Sequence, residues 1–448
     1  MDYKQKYLKY KQKYLKLLKD QKGGEPFLSD ILTSLAFSWL FAKHQRQFKL
    51  IFSGKQLQPM PPLGNITLNH KLRLKIIRGD GLCALLVLRL DFGRYNKQFI
   101  KSIMSRANKV PISDPTCVAT LTGHSNRVTS TSVAYHSVTS VAFHSRDNVM
   151  AIGISDNTVK LWRLSANSTL ANCVAILPGP TSLTGSSNRV TSVTFHPIDK
   201  ILAIGYEHYI ATVLHMSDDY TKVKYNKLTL VGHSQCVSSV AFHPREQEPL
   251  LATGSWDSTV KLWRLNPPTC VATLQGHSGW ITSVVFHPSE HVLATGSYDG
   301  TAKLWRMSTD CTVAWCVATL TGHSHPVTSV VFHPSLNILA TGSEDRTAKL
   351  WRLSAKCNTA TCVATLDHSI GGHDRSVFSV AFHPSLPFLA TGSDDNTSKV
   401  WLMSSDGTAA TCIATLQGHA GTVSSVAFHP IEKVLATGNR DGTAKLWK

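Results

Sequence analysis

The chain has 448 residues, 42% of them hydrophobic, with 46 Lys+Arg against 28 Asp+Glu and a formal net charge of +18. That composition belongs to a water-soluble globular protein with ample apolar material, and it excludes a disordered low-complexity chain. The most apolar stretches, Ile31–Ala42 and Leu82–Leu90, fall short of the ~20 residues that span a bilayer, and the Lys-rich opening lacks the apolar core of a signal peptide.

The charge is unevenly placed. Residues 1–113 carry 22 Lys+Arg and 6 Asp+Glu, a balance of +16, whereas residues 114–448 carry 24 and 22, a balance of +2. Residues 1–24 place Tyr3, Tyr7, Tyr10, Tyr14 and Leu17 at helical spacing among lysines, and Gly23-Gly24 ends that helix. It reads either as a solvated or oligomerising helix, or as a basic amphipathic helix for an acidic partner, a membrane surface or nucleic acid. The phrase Tyr7–Lys16 resembles the openings of proteins from giant DNA viruses of amoebae. Residues 25–92 read as a small basic α+β segment. Within it, Phe48–Leu57, Leu86–Leu90 and the preceding Glu25-Pro26 resemble parts of ubiquitin, while Pro26–Leu35 resembles an F-box helix. The two resemblances compete for the same residues. Residues 93–115 are a linker.

From residue 116 the chain repeats itself. The clearest copy runs from Gly276-His277 through the strand Ile281–Phe286, a second strand from Val292, the turn Asp299-Gly300 and Trp305. Copies begin at Gly123-His124, Gly185-Ser186, Gly232-His233, Gly276-His277, Gly322-His323, Gly372-His373 and Gly418-His419, with 62, 47, 44, 46, 50 and 46 positions between successive second residues. This period, with Gly-His at the start and Trp near the end, resembles the WD-repeat family, whose repeats are four-stranded propeller blades. The resemblance covers about three quarters of the chain and implies an all-β, seven-bladed WD-repeat propeller over residues 116–448. The last copy stops at Trp447-Lys448 without its fourth strand, and the missing phrase stands at Thr116–Leu121. The sequence therefore predicts that strand 116–121 completes the last blade and closes the ring.

The family resemblance also assigns recurring polar residues to a hydrogen-bonded tetrad within each blade. The sets are His233, Thr253, Asp257 and Trp263; His277, Thr295, Asp299 and Trp305; His323, Thr341, Asp345 and Trp351; His373, Thr391, Asp395 and Trp401; and His419, Thr437, Asp441 and Trp447. These are structural assignments, and no catalytic, cofactor or metal site is expected. The first copy breaks the pattern with Ile152 and contains a local duplication, Ser132–Ser137 and Ser140–Ser145. The second copy has Ser186, Ile204, His208 and Leu214 at the four positions, so the first two blades are expected to be the loosest. Cys117, Cys173, Cys270, Cys316, Cys362 and Cys412 share one slot of the repeat and are expected to be small buried hydrophobes in a reducing compartment. The usual Trp-Asp ending is Trp-Arg, Trp-Leu or Trp-Lys here, a departure from members that dock on cullin ligases through a Trp-Asp-x-Arg box.

The resemblance implies a partner-binding face at the residues beside the turn Asp and at the start of the first strand. These are Trp256, Tyr298, Glu344, Asp394 and Arg440, then Arg127, Arg189, Cys236, Trp280, Pro326, Ser376 and Thr422, with Phe378 further in. Trp256, Trp280 and Tyr298 belong to adjacent blades and are expected to share one exposed aromatic patch. The expected function is a non-catalytic protein-interaction scaffold in the cytoplasm, the host's if the protein is viral. The alternatives are a substrate receptor or adaptor in the ubiquitin system, and a nucleic-acid-associated factor acting through residues 1–113. The sequence contains no phosphate loop, nucleophile elbow or acid/base pair to indicate an enzyme.

Overall fold

The computed structural model describes residues 51–52, 55–56, 73–75, 87–89, 115–122, 128–129, 132–133, 136–166, 168, 170–180, 188–224, 227–245 and 249–448. The chain divides into two units. In the first, the described residues form two short antiparallel ladders, Ile51–Phe52 with Lys55–Gln56 and Arg73–Lys75 with Val87–Arg89. The expected Lys-rich helix, the F-box-like helix and the linker up to residue 114 lie outside the described residues.

The second unit is a ring of seven four-stranded antiparallel sheets. Blade 3 shows the plan, with Val237–Phe242 innermost, then Leu250–Ser255, Val260–Leu265 and Pro268–Leu274 outermost. The second strand is buried at all six positions because a neighbouring blade covers each of its faces, so it reads as an apolar run. The outermost strand buries only Leu274 completely and presents polar residues outward.

The core lies between blades. Leu250, Ala252, Val260, Leu262 and Leu274 of blade 3 pack against Ile281, Val284, Phe286, Leu293 and Trp305 of blade 4. The glycine in each Ala-Thr-Gly phrase permits this approach: a Cβ on Gly254 would meet Ile281 Cγ2 at 2.6 Å, and one on Gly438 would meet Val138 Cγ1 at 2.5 Å.

Three short phrases of the inner strand bind each blade to the next. The Ser of the Ser-Val pair in each inner strand accepts the following blade's Val N–H at every seam, at 3.0–3.3 Å, from Ser140 to Val193 round to Ser425 to Val141. The residue before that Ser donates to a carbonyl of the next blade in most seams, as Thr282 does to Val327 at 2.5 Å. At the other end of the strand, each Phe-His histidine sets its ring against the next blade's Phe. These contacts run from His144–Phe195, 5.4 Å between ring centres, round to His429–Phe143 at 5.1 Å.

The ring closes as predicted. Cys117–Leu121 pairs antiparallel with Ala444–Trp447, Thr116 and Lys448 exchange backbone hydrogen bonds at 3.1 Å, and Lys445 Nζ donates to Thr120 Oγ1. In blade 1 the second copy of the duplication, Val138–Phe143, forms the inner strand, while Val128–Thr129 and Ser132–Val133 make a separate small ladder.

One expectation changes. Cys117, Cys173, Cys270, Cys316 and Cys362 are exposed and Cys412 is half-buried, because their slot lies on the outermost strand, where a bulge opposite the tryptophan turns the thiol outward. Among the described residues the buried thiols are Cys236, Cys311 and Cys357. The second blade lacks a tetrad but has other fastenings. Tyr220, fully buried, donates to Asp147 Oδ2 at 2.7 Å and packs edge-on against His144 and Phe195 across the first seam.

Candidate interaction face

The five tetrads form in the same way, and blade 4 serves as the example. Trp305 Nε1 donates to Thr295 Oγ1 at 2.9 Å, that hydroxyl lies 2.7 Å from His277 Nε2, and His277 Nδ1 lies 2.7 Å from Asp299 Oδ2. Thr295 is wholly buried. With the indole donating to the hydroxyl, the assignment in which the hydroxyl donates to Nε2 and Nδ1–H to the carboxylate uses every proton once. This assignment requires a neutral imidazole. Burial holds the His277 and His233 pKa below the usual imidazole value, although Asp299 and Asp257 pull it the other way. Burial raises the Asp299 pKa, but hydrogen bonds from Thr301 and His277 outweigh it and the net shift is downward.

A fifth member was missed in the sequence reading. The threonine two residues after each Asp gives that carboxylate both its N–H and its hydroxyl, as Thr301 does at 2.9 and 2.6 Å. The signal was available, since Asp-x-Thr recurs at Thr259, Thr301, Thr347, Thr397 and Thr443. The middle residue of this turn is left-handed in every blade, at Ser258, Gly300 and Arg346 among others. The tetrads therefore fix the turns, and the turns present the side chains before the Asp. Among the described residues no cluster of His, Cys, Asp and Glu has metal-binding geometry.

Seven equivalent backbone bonds define a rim at one mouth of the ring. Each joins the residue before the turn to the one leading into the inner strand: Ser155 N–H to Ser137 O, Glu207 to Arg189, Trp256 to Cys236, Tyr298 to Trp280, Glu344 to Pro326, Asp394 to Ser376 and Arg440 to Thr422. In blade 1 the position is filled by Ser137, and Arg127 lies outside the described residues.

The turn residue of one blade then touches the entry residue of the next. Trp256 and Trp280 stack with ring centres 4.6 Å apart and planes 11° apart, and Tyr298 leans on Trp280 at 5.2 Å and 42°. The three rings form one ladder. They remain 36%, 44% and 51% exposed, so the ladder covers no core and faces solvent.

The other predicted face residues are arranged around the same rim. Arg189 Nε lies 3.9 Å from Glu207 Oε2. Burial, with the Glu207 carboxylate beside it, pushes the Cys236 thiol up to about 12. Asp394 accepts from the Thr422 hydroxyl at 2.5 Å and faces Arg375 at 3.8 Å. Arg440 lies over the ring of Phe378, 5.2 Å from its centre. Phe378 occupies the slot that holds Thr or Ser in the other inner strands, so blade 6 replaces that seam hydrogen bond with a cation–π contact.

The family profile described as WD40, WD domain, G-beta repeat matches residues 115–163, 225–264, 268–306, 314–352, 360–401 and 410–448, together more than half of the chain. The unmatched stretch between 163 and 225 holds the first three strands of blade 2, which lacks a tetrad. Among curated proteins, the chain is similar to a pre-mRNA-processing factor 19 of Oryza sativa, 31% identical over 163 residues, which is 35% of this chain and 25% of the relative. It is also similar to a ribosome biogenesis protein WDR12 homolog of Aedes aegypti, 29% identical over 29% of this chain and 32% of the relative. A third relative, ribosome biogenesis protein YTM1 of Yarrowia lipolytica, is 34% identical over 28% of this chain and 24% of its own length. Each alignment thus spans a quarter to a third of the relative's length.

Proposed function

Because the chain belongs to the WD-repeat family, we propose that it is a non-catalytic protein-interaction scaffold that engages partners through the rim carrying Trp256, Trp280 and Tyr298. The observation that carries this reading is the ladder itself. Three large rings stack on one another in the open instead of entering a core. Rigid exposed aromatics bordered by charged residues have the chemistry of binding hot spots. The deciding experiment compares the proteins retained by immobilised wild type and by the W256A/W280A/Y298A variant. Loss of specific partners at unchanged thermal stability supports the reading, and an unchanged partner set refutes it.

A second reading adds to the first. The relatives are named for ribosome biogenesis and pre-mRNA processing, and residues 1–113 carry a balance of +16. A scaffold within ribonucleoprotein assembly, with the basic segment gripping RNA backbone, accounts for both facts. RNA binding by the full chain should then weaken steeply with salt, log K falling linearly with log salt concentration. Charge-neutral replacements of the lysines in 1–22 should flatten that slope. Nothing in the relatives' names favours the ubiquitin-system alternative or a cytoplasmic location, and neither is carried forward.

A further inference from the structure

Most charged groups on the rim already have a counterpart: Arg189 with Glu207, Arg375 with Asp394, Arg440 with the Phe378 ring. Glu344 differs. Its backbone is held on both sides, its N–H on Pro326 O at 3.0 Å and its carbonyl accepting from Ser376 Oγ at 3.3 Å. Glu344 is a half-buried residue, and its carboxylate makes no ion pair or hydrogen bond with any described residue. An unpaired carboxylate carried on a backbone held at both sides is open to a cation from a partner. Glu344 stands one blade along from the aromatic ladder. The turn that carries Tyr298 lies against the loop leading to Pro326, where a Cβ on Gly300 would meet His325 O at 3.6 Å.

We infer that the ladder and Glu344 together receive an arginine-bearing segment of a partner protein. Aromatic faces attract a cation, and a guanidinium does so as a flat plate that stacks on a ring while its edge donates two parallel hydrogen bonds to a carboxylate. A lysine ammonium is a strongly hydrated point charge and cannot make both contacts with one flat group. The stems of the arginine and of flanking apolar residues lie along the exposed ring surface. An acidic segment placed on the ladder meets the unpaired Glu344 and is disfavoured there. This inference rests on the interaction-face reading and adds the partner's chemistry to it.

The test is selection of random linear peptides displayed on phage against the full-length wild type, in parallel with W256A/W280A/Y298A and Glu344→Gln. Peptides that bind wild type but not the triple variant should be enriched in arginine. Synthetic versions of the best peptide should lose about tenfold or more in affinity when arginine becomes citrulline, and a similar factor on E344Q, as for loss of a partly desolvated charge pair. Ladder-dependent peptides without arginine, or equal affinity on E344Q, overturn this inference and leave the interaction face standing. If no peptide distinguishes wild type from the triple variant, both fall. Tight binding of a single-stranded oligoribonucleotide that the triple variant loses replaces arginine recognition with base stacking.

Discussion

Thr295 is the position where one atom decides most. Valine is nearly isosteric with threonine, so Thr295→Val removes a hydroxyl without opening a cavity. That hydroxyl accepts from Trp305 Nε1 at 2.9 Å and lies 2.7 Å from His277 Nε2, at a residue with no exposed surface. Without it, a buried indole N–H and a buried imidazole nitrogen both lose their partner, and each orphaned group costs about 1–3 kcal/mol. The expected destabilisation is therefore about 3 kcal/mol, read as a lower midpoint in urea with an unchanged slope. A double-mutant cycle with Trp305→Phe isolates the bond, because the second mutant has no indole donor to strand. A coupling of about 1 kcal/mol or more is expected. A T295V midpoint equal to wild type, or strictly additive effects in the cycle, would refute the reasoning. Blade 1 offers an internal precedent: Ile152 takes the threonine's place, and Trp162 Nε1 is buried there without a partner.

Four further outcomes follow from the same geometry. Ile152→Thr should restore an acceptor to Trp162 and, because about 1 kcal/mol of hydrogen bonding is set against lost apolar burial, shift stability by less than the reverse change at Thr295; urea midpoints of the two variants check this. Burial lowers the pKa of His243, His333 and His383 to about 4, so the unfolded chain takes up protons first. Stability should be fully present above about pH 6.5 and decline as pH falls towards 4, by about 1–2 kcal/mol per histidine at pH 5, which denaturation curves at stepped pH will show or exclude. Ala119→Pro removes a donor from the strand that closes blade 7 and should lower the melting temperature of the whole ring, not of one blade; two separate transitions would contradict closure through that strand. Trp280→Ala should weaken stability by only about 1 kcal/mol, the worth of exposed ring stacking, while abolishing ladder-dependent binding, and a large melting shift would mean that the rings serve the fold.

The repeat made the ring legible in the sequence because each blade buries its faces only on its neighbours. The seven copies, the strand order and the exchange of Thr116–Leu121 all follow from the period. The aromatic neighbourhood was also readable, since Trp256 and Tyr298 precede the turn Asp of adjacent copies and Trp280 leads into the inner strand of the second, although their stacking needed coordinates. The cysteine environment was not readable. Cys-Val-Ala-Thr-Leu alternates like a half-buried strand, and only the bulge opposite the tryptophan decides which side the thiol takes. The role of the histidine that follows the inner-strand Phe was not readable either. In the structure Nδ1 of His287 accepts the N–H groups of Ser289 and Glu290, and its ring meets Phe332 of the next blade. That role is invisible in one copy because the partner belongs to another.

The fourteen rim positions differ from the rest of the repeat in a way that bears on function. At the seams and in the complete tetrads the copies carry nearly the same residue, since one bond with one geometry is being made each time: Ser Oγ to Val N–H, His to Thr, His ring to Phe. On the rim the backbone bond is kept in all seven blades while the side chains range from serine to tryptophan. Those side chains are therefore not selected by the bond that places them, and packing does not select them either where they stay exposed. A rim that holds one backbone bond constant while its side chains vary is suited to carry blade-specific chemistry. Among the described residues of that rim, the ladder stays exposed and Glu344 has no counter-charge, so both are open to a partner.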